Sequence, residues 1–589
     1  MARAADLLPE IVRLILRATT TNPNNETGGS RLSEWKQQLA LVGVCRKWRA
    51  VGVPLVYSQV IVESSSSKDS ETLATNGVLF GGLSGEPADV ARELTIIMAP
   101  QARVSVFLGN VCDFLLQRAD SAEKQQQWKR VHTVTLDLCA GGPYLFTSTP
   151  DGSNSSSSSS RDDDRETSPE ALVERLAHAL PGVKTLHCAP SQNIDDCAEF
   201  TAALADRYAG QIERLKTHVH APFAAPAMHN LRTLDLFFFW SSVQLSMPQI
   251  NVRQLQRMSL VNVSADFAWD SLFLHQPQTK DMEIQRTNDS IPVAVFESLR
   301  RMHLFFHTNI DVFEGNARAT QLLGAQYHRR LSFPELRYLC TDNSASAATL
   351  LGSAQFPDRL AEFRVFCPEG AIISVKNADF SVDARRRIAA HMASPHETPG
   401  PWDFVRLTNC LFTPASSDTS DPATQAKREE DVALTMGAHM FLPKPSVIAW
   451  SALTRLSIAA PICPLALAQY IGALSGLLEL RVHSMQLGAL VLQSSETHSG
   501  SEARDEDHQC LWPPAPSVCS ISKSPIRFLA LAFCIADNGD TAASVVEHLV
   551  TGLQFLRTLC IPDAVASRIK EFASSQQTTY PHLARLSIH

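Results

Sequence analysis

Three histidines, His218, His220 and His229, come nearest in this sequence to a metal-ligand set. On a strand, H-x-H carries two imidazoles on one face, because side chains alternate with a period of two, and such a pair suits zinc. No cysteine or carboxylate stands at ligand spacing beside them, so neither a metal nor a cofactor is expected. Nucleotide and hydrolytic chemistry find no footing: the chain has no G-x-G-x-x-G, no P-loop, no H-E-x-x-H and no G-x-S-x-G. Its thirteen cysteines are scattered, odd in number and lack a C-x-x-C pair, which argues against a disulfide framework or a zinc ribbon and for reduced, mostly buried thiols. No catalytic residue is expected.

The residues best suited to contact another protein are aromatic. Phe237-Phe238-Phe239-Trp240 follows a short apolar phrase, and Leu304-Phe305-Phe306-His307 takes the same place after a later copy of it. Alternation along a strand turns part of each run into the core and part toward a surface. Core packing and a hydrophobic anchor for a client protein both stay open here, with Phe238, Trp240, Phe305 and His307 as the candidate client contacts.

The element that would position them is the phrase itself: an apolar residue, another three positions on, and a third two further. It occurs as Val131/Val134/Leu136, Val183/Leu186/Cys188, Leu231/Leu234/Leu236, Leu255/Met258/Leu260, Leu299/Met302/Leu304, Leu360/Phe363/Val365, Leu453/Leu456/Ile458, Leu477/Leu480/Val482, Ile526/Leu529/Leu531, Leu556/Leu559/Ile561 and Leu583/Leu586/Ile588. Each reads as a short strand with one buried face. Counted between middle residues, Leu234 to Met258, Met258 to Met282, Leu339 to Phe363 and Leu456 to Leu480 are each 24 apart, while Leu186 to Leu234 and Leu480 to Leu529 are 48 and 49, near twice that. This period lies within the leucine-rich-repeat range, and the array resembles a degenerate form of that repeat, with Cys139 and Cys534 at the place of the turn-bonding Asn or Cys. Stacked units would make an α/β solenoid with a parallel sheet on its concave face, since no unit can bury its apolar side alone.

A different pattern precedes the array. Leu8-Pro9-Glu10-Ile11 opens an amphipathic helix continued by Ile15 and Leu16, with Pro and acids suited to a first turn. After a polar loop, Trp35, Leu39 and Val42 share one face of a second helix capped by Ser33, and Val44-Cys45-Arg46, Trp48-Arg49 and Val51 lead to Pro54-Leu55 and Tyr57. Three short helices cannot bury these side chains against one another, so they are either a cap on the repeat array or a surface for a partner. The order of elements, L-P-x-E-I and then C-R-x-W-R with P-L-x-Y, resembles the F-box, especially its fungal form, over about residues 6–60, with a longer than usual connection from Ala18 to Leu32. The resemblance implies docking on a Skp-type adaptor and, through it, on a cullin scaffold of a ubiquitin ligase. The matching positions at that interface are Leu8, Pro9, Ile11, Ile15, Leu16, Leu39, Val44, Cys45, Trp48 and Val51.

At 589 residues, 44% apolar and 19% charged, the chain can bury a large core. Its longest apolar runs fall short of the roughly 18 residues of a membrane span, and Asp6, Pro9, Glu10, Arg13 and Arg17 interrupt its apolar start, so an intracellular chain, cytoplasmic or nuclear, without membrane contact is expected. Residues 1–60 hold eight Lys/Arg and four Asp/Glu, a charge of +4, which leaves −12 of the net −8 to the remainder. An acidic body argues against a nucleic-acid groove. The expected organisation is an F-box-like helical domain (1–60), a connecting region (61–130) and a leucine-rich-repeat-like solenoid (131–589). Ser-rich and charged insertions near 148–170, 415–431 and 494–520, like the stretch 64–72, read as disordered. The function implied is that of the substrate-recognition subunit of a Skp–cullin–F-box-type ubiquitin ligase; the alternative is a repeat scaffold with no ligase role.

Overall fold

The computed structural model describes residues 58–64, 73–75, 91–98, 104–117, 127–138, 168–188, 195–219, 228–238, 250–263, 294–306, 331–367, 370–392, 432–437, 453–487, 524–533 and 539–589. The ten adaptor positions between Leu8 and Val51, the aromatic Trp240, and His307, His220, Cys139, Cys534 and Met282 lie outside these residues, as do the segments 65–72, 148–167, 415–431 and 494–520. Ser168 and Pro169, the last of the Ser-rich stretch, instead open a helix: Ser168 Oγ accepts the Ala171 N–H at 3.2 Å and Pro169 fills the first helical position, where no N–H is needed. The chain forms two compact units, Met1–Leu299 and Arg300–His589.

In the first unit the strands are β1 (Gln59–Ser64), β2 (Leu73–Thr75), β3 (Glu93–Ile97), β4 (Thr133–Asp137), β5 (Thr185–Cys188), β6 (Arg214–Val219), β7 (Thr233–Phe238), β8 (Arg257–Val263) and the short β9 (Ala294–Val295). From β1 through β3 to β8 each strand pairs in parallel with the next, and β2 adds antiparallel to the outer side of β1. Helices α1 (Val104–Gln117), α2 (Pro169–Ala179) and α3 (Asp195–Arg207) lie between successive strands and pack side by side, so the alternation of strand and helix produces the parallel sheet. Three further strands share the pattern of the eleven phrases: Ala91/Leu94/Ile96, Ile212/Leu215/Thr217 and, in the second unit, Leu336/Leu339/Thr341, which holds the Leu339 marker. Two escape an apolar template because threonine holds the third position. The 48-residue step from Leu186 to Leu234 therefore contains one further strand, β6.

Register is held by backbone as well as side chains. The carbonyl before each strand accepts two successive N–H groups of the next: Arg92 O from His132 and Thr133 (2.9 and 3.2 Å), His132 O from Lys184 and Thr185 (both 2.8 Å), Lys184 O from Glu213 and Arg214 (2.7 and 3.1 Å), Glu213 O from Arg232 and Thr233 (2.8 and 3.1 Å). Strands therefore align whatever the length of chain between them, which is how long insertions are accommodated. The marker residues pair across the sheet: Leu94 with Val134, Val134 with Leu186, Leu186 with Leu215, Leu215 with Leu234 and Leu234 with Met258. All are essentially buried, and each contributes on the order of 1.5–3 kcal/mol by leaving water. Helices dock on this side through side chains that also satisfy their neighbours' ends: Trp128 Nε1 donates to Leu115 O at 3.1 Å and Tyr208 Oη to Leu180 O at 3.0 Å. Gly182 permits the closest approach, since a Cβ there would stand 2.4 Å from Lys129 O.

In the second unit the strands are β10 (Arg301–Phe306), the short β11 (Leu331–Ser332), β12 (Tyr338–Asp342), β13 (Arg359–Phe366), β14 (Ile372–Asp379), β15 (Val432–Met436), β16 (Arg455–Ile458), β17 (Glu479–Met485), β18 (Phe528–Phe533), β19 (Thr558–Cys560) and β20 (Ser587–Ile588). The main sheet runs from β10 through β12 to β20 in chain order, with Leu339 paired to Phe363 and Leu456 to Leu480, the two 24-residue steps. The wholly parallel sheet expected from the sequence does not hold here. β14 is antiparallel to both β13 and β15. Its cause is local: Gly370 at φ 87°, with Cys367 N donating to Ala371 O at 2.8 Å, turns the chain back at once, and a tight turn can join only antiparallel strands. The 49-residue step also differs from its sequence reading, because β17 pairs directly with β18, Leu480 opposite Leu529. The last phrase is offset by two, with Ile588 rather than Leu586 opposite Leu559.

Helices α4 (Ala345–Ser353) and α5 (Val382–Met392) pack together, as do α7 (Gly539–Gly552) and α8 (Asp563–Ser575), while α6 (Pro464–Ala473) follows β16. Arg385 of α5 is buried, and its guanidinium donates to Leu351 O and Ala354 O at 3.1 and 2.7 Å and to Phe380 O at 3.1 Å while lying 5.4 Å from the centre of the Phe356 ring. A charge placed there satisfies the carbonyls at the end of α4 that the helix leaves open.

Candidate functional site

In both units the phrase residues fill the buried side of the sheet, and the side chains between them form an opposite face that is half-buried to exposed. In the first unit this open face is a grid. One row runs Thr185, Arg214, Thr233, Arg257; the next His187, Lys216, Asp235, Ser259; the third His218, Phe237, Val261. Lys184 and Arg232 stand just ahead of the first row, on the residues whose carbonyls set the register.

Charges on this grid are unevenly matched. Lys184 Nζ meets Glu213 Oε1 at 2.9 Å, and Arg257 Nε lies 3.6 Å from Asp235 Oδ1. Lys184, with nearby Arg232 and Arg214, holds the Glu213 carboxyl below its usual range. Exposed Arg214, Lys216 and Arg232 have no ion pair among the described residues. The five cations Lys184, Arg214, Lys216, Arg232 and Arg257 against the acids Glu213 and Asp235 leave an excess of three. Burial, followed by Lys216, pushes the His187 imidazole down, so it is neutral near neutral pH and the positive field comes from Lys and Arg. Beside them the His218 and Phe237 rings stand 5.0 Å apart, tilted by 40°.

On the open face of the second unit several cations are engaged. Arg301 lies over the Tyr338 ring at 4.9 Å, Arg364 meets Glu362 at 2.6 Å, and Arg481 meets Glu479 at 2.6 Å while lying 5.1 Å from the centre of Phe528. Ser374 Oγ adds a bond to Glu362 at 2.8 Å, and Ser457 Oγ and His483 Nε2 are 2.9 Å apart. Phe305 and Phe366 meet edge to face at 5.2 Å, at the level of Asp342 on the strand between their own. Burial raises the Asp342 carboxyl to about 6, against the opposing bonds it accepts from Ser344 Oγ at 2.6 Å and from Phe306 N–H.

Of the candidate client contacts, Phe305 projects on the open face, in line with Arg301 and His303. Phe238 has the parity of the buried Leu234 and Leu236, and its carbonyl accepts Asn262 Nδ2 at 2.6 Å; Asn262 itself holds φ 64°. Phe237 is the aromatic that shares the face of Thr233 and Asp235. Period-two alternation from Leu234 locates it, whereas grouping by parity with Trp240 favours Phe238. His218 points to the open face and His229 is exposed in the turn before β7. Among the described residues no three of His, Cys, Asp and Glu gather as a metal site would require, and no helix is long and apolar enough to cross a membrane. No disulfide joins the described cysteines; burial drives the Cys112 thiol up to about 11 and Cys340 to about 12, which keeps both protonated.

No protein-family model and no curated protein matches the chain. Among solved structures, the yeast complex of Rad7 and Elc1 matches over 82% of this chain and 87% of that one, at 11% identity and a TM-score of 0.22. A likeness that distant carries no argument about fold or function.

Proposed function

We propose that the chain is the substrate-recognition subunit of a Skp–cullin–F-box-type ubiquitin ligase, binding a Skp-type adaptor through residues 6–60 and a client protein through the open face of a leucine-rich-repeat-like array. The observation that carries the reading is the joining, in one chain, of L-P-E-I and C-R-K-W-R ahead of strands locked in register at a 24-residue step, Leu234 to Met258 and Leu456 to Leu480. The first motif supplies a docking surface and the second a half-exposed sheet face. Such a subunit performs no bond chemistry. It accelerates transfer by holding the client close to the loaded enzyme brought by the cullin, so a bimolecular encounter becomes an internal one.

Co-precipitation of the tagged full chain, compared with a chain lacking residues 1–57, tests the reading. The cut spares Ser58, whose carbonyl accepts the Arg92 and Glu93 N–H groups at 2.7 and 3.0 Å, so the sheet keeps its first strand. The full chain should bring down a Skp-type adaptor and a cullin, and the shortened chain, still folded by circular dichroism, neither. Unfolding of the shortened chain, with no adaptor on the full one, would instead make residues 1–57 a cap on a scaffold.

A further inference from the structure

Arg214, Lys216 and Arg232 are exposed, close together and without an ion pair among the described residues of a chain whose net charge is −8. In the second unit Arg364 and Arg481, on the strands themselves, are each matched by a glutamate one row away, while Arg300, Arg337, Arg527 and Arg557, ahead of their strands, have no ion pair among the described residues. The geometry points to the β5–β7 part of the first unit's open face as a docking site for an extended acidic peptide segment of the client.

Spacing favours a peptide. Arg214 and Lys216 are alternate residues of one strand, so their side chains emerge about 7 Å apart, the step between alternate side chains of an extended peptide laid alongside. Arg232 extends the cationic group to the next strand. The His218 and Phe237 rings, beyond Lys216 in the third row, offer an apolar contact at one end of the acidic stretch. A nucleic-acid backbone would need an unbroken cationic track. Here Asp235 sits beside Lys216, and Glu213 beside Lys184, so the track is broken at the interval that separates charged side chains on a peptide. The attraction is electrostatic, so it weakens as salt is added.

This inference deepens the client-receptor reading, and its test works without the adaptor, so the two can fail separately. The full-length chain is titrated into a short fluorescein-labelled peptide of alternating glutamate and tyrosine, followed by anisotropy at low and at physiological salt. Saturable, salt-sensitive binding is expected, weakened by roughly tenfold or more in Arg214→Glu/Lys216→Glu and also in Arg232→Glu alone. The charge-matched control Arg527→Glu/Arg557→Glu, on exposed residues of the second unit, should leave it unchanged. Equal weakening by the control, no binding at low salt, or equally tight binding of a single-stranded oligonucleotide lost in the same variants would overturn the proposal. Circular dichroism melting confirms that each variant is folded.

Discussion

Arg385 shows how one charged residue can be structural. Its guanidinium serves three carbonyls, from Phe380, Leu351 and Ala354, inside the packing of α4 against α5. Arg385→Met keeps the bulk and removes the donors, and the expected loss is about 2–4 kcal/mol in urea unfolding, since carbonyls left unbonded in the interior cost more than the bonds contributed. Asp342 is a second case. Its folded carboxyl titrates at about 6 against a usual 3.8, because burial outweighs the bonds from Ser344 and Phe306. A raised pKa means that the folded state holds the proton more tightly, so this contribution is complete below pH 3.8 and is lost as pH rises through 6. Asp342→Asn should therefore flatten the fall in melting temperature between about pH 4 and 6, seen in paired thermal melts.

At the level of elements, the strand phrase was legible because its alternation is dictated by one buried face: Leu234, Leu236, Leu456, Ile458, Leu480 and Val482 are all buried as their spacing implies. Leu234→Ala should cost about 2–5 kcal/mol in denaturant unfolding through the cavity it leaves on the buried side of the sheet, whereas Thr233→Ala, on the open face, should cost far less. Phrases ending in threonine, Ile212/Leu215/Thr217 and Leu336/Leu339/Thr341, break an apolar template while obeying the same geometry. Both hydroxyl-bearing side chains are nonetheless buried. The reversed strand β14 was not legible for a different reason. Its direction is set by Gly370 and a turn, and Phe363 opposite Val375 satisfies the apolar pattern whichever way the strand runs. The basic group on β6 was likewise hidden, because Arg214, Lys216 and Arg232 converge only through register between strands.

For the whole molecule, each unit carries an open face: one with Arg214 and Lys216 on β6, the other with the Phe305–Phe366 pair. A receptor that contacts its client on several patches loses part of its affinity, not all, when one patch is altered. Phe305→Ala together with Phe366→Ala should therefore weaken capture of a client while leaving adaptor binding intact, as measured by the two partners recovered in one pull-down. The central claim rests on residues 6–60, where the aromatic Trp48 is expected to dominate docking. Calorimetric titration of the purified full chain with a purified Skp-type adaptor tests it most directly. The account predicts saturable one-to-one binding that falls by at least about a hundredfold in Leu8→Ala/Trp48→Ala. Absence of binding by the unaltered chain, or affinity unchanged in that double variant, would contradict it.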